Sequence, residues 1–123
     1  MKKLTIALLL FTLSAFTSWA GDFQKGMSAI KSGDYATAFK EFAALAEQGD
    51  ADAQSNLGGM YANGQGVPQD NVYAHMWFNL AAANGNEPAS KNRDIIAKRM
   101  TTADISKAQS LARECLKKSY KGC

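Results

Sequence analysis

The sequence is poor in the residues that most chemistry requires. It has one histidine, His75, two cysteines, two prolines and no apolar run long enough for a membrane helix. A lone histidine excludes metal sites built on two histidines, so neither a metal nor a cofactor is expected. Gly64-x-Gly66 resembles part of a phosphate loop, but it lies between helical patterns and lacks the lysine of a P-loop. No nucleophile elbow accompanies the serines, so a serine–histidine–carboxylate site through His75 is not expected, and the chain reads as a non-enzyme. His75 itself, beside Met76-Trp77, is expected as a partly exposed surface or interface residue. Lys117, Lys118 and Lys121 have few aromatics among them, which argues against nucleic acid as a partner.

The longest apolar stretch is at the front. Met1-Lys2-Lys3 is followed by a predominantly apolar run of thirteen residues, Leu4 to Phe16, and then by Thr17-Ser18-Trp19-Ala20 ahead of Gly21. Thirteen residues fall short of the roughly 20 a membrane span needs. A positive start, a short apolar core and small residues before Gly21 are the layout of a cleaved secretory signal peptide. No cysteine directly follows the run, which argues against a lipoprotein anchor. The alternative is an uncleaved anchor. The expectation is a signal peptide over 1–20, one domain over 21–123, and a periplasmic or secreted protein with no integral membrane segment after cleavage. Cys115 and Cys123, an even pair in an exported chain, suggest a disulfide.

Charge is unevenly spread. Residues 21–86 carry 3 basic and 7 acidic side chains, and residues 87–123 carry 9 basic and 4 acidic ones. Such a molecule can orient its C-terminal part toward an acidic partner, or the charges simply solvate outer helix faces.

What the chain does have is a repeat. Asp34 to Gly49 overlays the segment 36 positions later without gaps: Asp34 on Asp70, Ala38 on Ala74, Phe42 on Phe78, Ala46 on Ala82 and Gly49 on Gly85. Each copy opens on an aspartate suited to an N-cap and stops at glycine, with apolar residues at helical spacing between. These are the second helices of successive helical pairs. The first helix of the central pair spans about Ala51 to Ala62, with Ala53, Leu57, Met60 and Tyr61 on one face. Gly58 and Gly59 each cost it roughly 1 kcal/mol relative to alanine, a cost expected to be offset by close packing of a neighbour. Asp22 to Ser32 supplies the leading first helix. A further helix starts at Glu87-Pro88 and runs from Ala89 to about Arg99. The last one is capped by Thr101 with Asp104 and turns Ile105, Ala108, Leu111, Ala112, Cys115 and Leu116 inward. The sum is an all-α fold of three helix-turn-helix pairs, about 22–49, 50–85 and 87–119, stacked as an α/α solenoid.

Ala51-Asp-Ala-Gln-Ser-Asn-Leu-Gly-Gly-Met-Tyr-Ala-Asn-Gly-Gln-Gly-Val-Pro-Gln-Asp70, continued by Ala74, Trp77, Ala81-Ala82 and Gly85, resembles the Sel1-like repeat family, relatives of the tetratricopeptide repeats. The resemblance implies a right-handed superhelix and adaptor or regulatory roles in protein–protein interaction. Its cysteine-rich bacterial branch joins helices through Cys-x7-Cys bridges, the spacing of Cys115 and Cys123. The internal repeat agrees, since the two cysteines align with Ala81 and Ala89, positions expected to pack together. A tail with a free or intermolecular thiol is the competing reading.

A short solenoid offers a curved groove lined mainly by its first helices. Positions off the Ala53/Leu57/Tyr61 face are free to point into it: Ser55, Asn56, Gly59 and Asn63, with Asn92 as a counterpart. Such amides and hydroxyls can hydrogen-bond an extended peptide, or they are ordinary solvated positions. The leading expectation is therefore an exported, non-catalytic module holding a peptide or protein partner in a helical groove. The alternative is a β-lactam- or cell-wall-fragment binder, or a weak β-lactamase, as the resemblance to cysteine-rich relatives implies; a third possibility is an oligomer or a subunit of a larger assembly.

Overall fold

A computed structural model describes residues 21–123; the expected signal peptide lies outside the described residues. Among them are six helices and no strand: α1 Phe23–Ser32, α2 Tyr35–Ala46, α3 Ala51–Asn63, α4 Asn71–Ala83, α5 Glu87–Ala97 and α6 Thr102–Lys117. Every helix begins at a short polar side chain that accepts from an otherwise unpaired backbone N–H. Asp22, Asp34, Asp50 and Asp70 do so for the first four helices. Asn86 caps α5 through Ala89 N–H at 3.0 Å, and Thr101 caps α6 through Asp104 N–H at 3.1 Å. Asn86 moves the start of α5 forward to Glu87, with Pro88 in the first turn, where its missing N–H costs nothing.

The 36-residue repeat becomes a packing rule. Ala38, Ala74 and Ala108 are fully buried, so neighbouring helices approach closely there. Phe42 of α2 and Phe78 of α4 are buried too, each facing a glycine on the preceding first helix. A Cβ built on Gly26 would stand 2.9 Å from the Phe42 ring, and one on Gly58 would stand 2.6 Å from the Phe78 ring. Gly58 thus does what the sequence suggested, but Gly59 does not. Nothing lies within 4 Å of a Cβ built there, because one helical step turns the position about 100° away from α4.

The helices stack α1 on α2, α2 on α3 and α3 on α4, and α4 also receives α5 and α6. The last two helices lean on α4 and scarcely on each other, so the third pair is more open than the first two. Covered from three sides, α4 is apolar nearly all round and buries Met76, Trp77, Phe78 and Leu80. It also buries His75, at 4 % exposure, which corrects the expected surface placement. Leu116 corrects another expectation. At the end of α6 it turns away from α4 and is 52 % exposed, whereas its neighbour Cys115 is buried.

Cys115 and Cys123 form an intramolecular disulfide with a Cα–Cα distance of 5.6 Å. To close it the chain reverses through Ser119 and Tyr120, both at positive φ (51° and 66°), and Tyr120 N–H donates to Cys115 O at 2.9 Å. The returning tail lies on the second-helix side. Gly122 and Cys123 border an apolar cavity of about 250 Å³ with Phe39, Leu57, Tyr61 and Trp77. The Tyr120 hydroxyl donates to Asn84 Oδ1 at 3.1 Å, and Asn84 Nδ2 donates to Gln54 Oε1 at 2.9 Å. The fully buried Gln54 in turn donates to Ala46 O at 3.1 Å. One hydrogen-bonded chain therefore runs from α2 through α3 and α4 to the tail.

Candidate functional site

The face opposite the tail carries an open cavity of about 460 Å³ bounded by the three first helices. The sequence dictates its three sides separately. On α1, Phe23, Met27 and Ile30 recur at i, i+4 and i+7 and make one apolar wall. On α3, the capped start at Asp50 fixes the rotation of the helix. Ala53 and Leu57 then go into the core, and Ser55, Asn56, Gly59 and Asn63 form the cavity floor. On α5, burial of Ala89 and Ile96 sends Asn92 to the cavity. The five positions expected from helical geometry (Ser55, Asn56, Gly59, Asn63 and Asn92) thus line a single concavity.

Two of its boundaries are held by hydrogen bonds. Asn86 Nδ2 donates to Asp52 Oδ1 at 2.9 Å, tying the start of α5 to the start of α3. Asn56 Nδ2 donates to Asp52 O at 2.8 Å, which fixes its amide and leaves its carbonyl oxygen unused. The side chains of Ser55, Asn63 and Asn92 carry no hydrogen bond to the rest of the described chain. Gly59 has a specific consequence here: without a side chain it lets a ligand approach the α3 backbone. A second cavity of about 250 Å³ continues from the first past Gly59, Asn63 and Asn92 to Ala62, Phe78, Ile95, Ile96 and Arg99. Ile95, 52 % exposed, is an apolar residue left at its edge.

The periodicity of α3 revealed the floor. The α1 wall and the extension to Ile95 and Arg99 were not anticipated. Phe23, Met27 and Ile30 share one face of α1, half-buried, so that they pack against the core and border the cavity at once. The weak apolar pattern on the outer side of α5 was the available signal for Ile95.

The remaining titratable groups lie elsewhere. His75 borders neither groove cavity. Burial, followed by the Arg93 guanidinium, holds its imidazole below the ordinary value of 6.5, so it is neutral inside α4. Its Nδ1 and the Trp77 indole nitrogen have no hydrogen-bond partner among the described residues. One nucleophile pattern does occur in the sequence: Ser28-Ala-Ile-Lys31 has the Ser-x-x-Lys spacing of β-lactam-acylating enzymes. Both residues are exposed on α1 and neither lines the groove. Among the described residues no group of three or more histidine, cysteine or acidic side chains is placed to hold a metal ion. No helix among them is long and apolar enough to cross a membrane.

Residues 51–86 match the Sel1 repeat family. They run from the first residue of α3 to the N-cap of α5, one complete helical pair with the loop that follows it. No curated protein matches the chain.

Proposed function

We propose that this chain, a Sel1-repeat protein, is an exported, non-catalytic module that holds a peptide or protein partner across α1, α3 and α5. Sel1 repeats generally mediate protein–protein interaction. The observation that carries the reading here is the convergence of Ser55, Asn56, Gly59, Asn63 and Asn92 in one cavity against an apolar wall. An extended peptide presents amides on its edges and side chains on alternate faces. Unused amides and hydroxyls on α3 and α5, beside Phe23, Met27 and Ile30, match both features. Export is supported by the Cys115–Cys123 disulfide, since such bonds persist in oxidising compartments.

The test is recovery of partners from cell-envelope extract by the mature protein and by an Asn56→Ala/Asn63→Ala variant. Recovery by the first and loss by the second is expected; equal recovery of every partner would remove the groove as the binding surface. The β-lactam-binding alternative has one observation in its favour, the Ser28–Lys31 spacing. Incubation with a labelled β-lactam addresses it, and stoichiometric labelling that disappears in Ser28→Ala would favour that reading instead.

A further inference from the structure

The groove is polarised along α3. Among the described residues bordering its two connected cavities, Asp52, in the first turn of α3, is the one carboxylate and Arg99 the one cation. Arg99 borders the second cavity beside Ala62 and Asn63, in the last turn of the same helix. At about 1.5 Å of rise per residue the two ends of α3 stand roughly 16 Å apart. That is the reach of about five residues of extended chain. The Arg99 side chain is exposed and makes no ion pair or hydrogen bond with the rest of the described chain, whereas one oxygen of Asp52 already accepts from Asn86. The unspent charge is therefore the cation.

From this we infer that the groove takes a short extended peptide in one direction, with an acidic residue beside Arg99 and no acidic residue at the Asp52 end. The inference rests on the groove reading above and adds to it a ligand chemistry and a polarity. Apolar side chains of such a peptide lie against Phe23, Met27 and Ile30 along its length. One more, next to the acidic residue, sits over Phe78, Ile95 and Ile96. The amides of Asn63 and Asn92 face the peptide backbone between these points. A peptide in the opposite direction puts its carboxylate against Asp52 and leaves Arg99 unmatched, so charge complementarity separates the two orientations.

Selection of random heptapeptides displayed on phage against the disulfide-bonded protein tests this directly. Enriched binders are expected to share an acidic residue at one end, apolar residues at alternate positions and no acidic residue at the other end. Arg99→Glu replaces attraction with repulsion and is expected to lower affinity for the consensus peptide about tenfold, a difference that shrinks at high salt. Selection repeated on that variant should enrich lysine or arginine at the same position. Arg113→Glu, on the exposed side of α6, serves as the control and should leave affinity unchanged. Binders that weaken with Asn56→Ala/Asn63→Ala but respond equally to both arginine variants would overturn the polarity and leave the groove standing. Binders indifferent to all three variants, or no enrichment at all, would overturn the groove and the polarity together.

Discussion

Two adjacent glycines in α3 have opposite reasons for being small. A methyl group at Gly58 meets the Phe78 ring at 2.6 Å, whereas one at Gly59 meets nothing within 4 Å. Gly58→Ala is expected to lower stability by about 1–3 kcal/mol through overpacking. Gly59→Ala is expected to raise it by up to about 1 kcal/mol through helix propensity, while weakening peptide binding. Urea titration of the two single variants gives both signs in one experiment. His75 is the other residue with a measurable signature. Its folded-state pKa is depressed below 6.5 by burial and by Arg93, with Asp94 opposing. The unfolded chain therefore takes up the proton first as pH falls. The associated stability is full above about pH 6.5 and declines as pH drops toward the folded value. The urea midpoint measured between about pH 7.5 and 5 should show this decline, and His75→Leu should flatten it. Neither residue was fully legible beforehand. Propensity charges both glycines alike, and only the rotation of the folded helix separates them. The burial of His75 was signalled by the apolar residues on every side of α4, a pattern easily read as a single packed face.

At the scale of helices the sequence was far more informative, because caps and periodicity are local. Asp34, Asp50, Asp70 and Thr101 stand where their side chains can reach a free N–H, and each does so. The beginning of α5 is set by Asn86, a capping residue not anticipated in the sequence, whose side chain accepts from Ala89 N–H and places the start at Glu87. How helices lean on one another depends on contacts far apart in the chain, and so α6 settling on α4 and scarcely touching α5 could not be read from spacing. Asn84 shows the same limit. It stands at the C-cap of α4, and its amide joins Gln54 to Tyr120 across 30 and 36 residues of sequence. Asn84→Ala leaves the buried Gln54 carbonyl oxygen without its donor and should cost about 1–3 kcal/mol. Tyr120→Phe removes only the outer bond and should cost less, a ranking that denaturant midpoints check.

For the whole molecule, the repeat anticipated the helical array and the central groove floor, and the cysteine spacing anticipated a bridge. It did not show that the bridged tail would turn back across the second helices, since that path depends on left-handed backbone at Ser119 and Tyr120, two residues with no glycine-like signal. Replacing both cysteines by serine is expected to cost roughly 2–3 kcal/mol, the scale for so short a closed loop, measured as a lower urea midpoint. The tail also bears on how the protein unfolds. Repeat arrays touch only their nearest neighbours, so their ends fray independently of the middle. Here Tyr120 rests against Gly49, in the turn after α2, and Cys123 packs against the same core as Phe42 and Leu57. The two ends of the array are thus joined through its back, and a linear stack acquires the cooperativity of a closed ring. Hydrogen exchange should show α1, α2 and α6 opening together in the oxidised protein and separately once the bond is reduced.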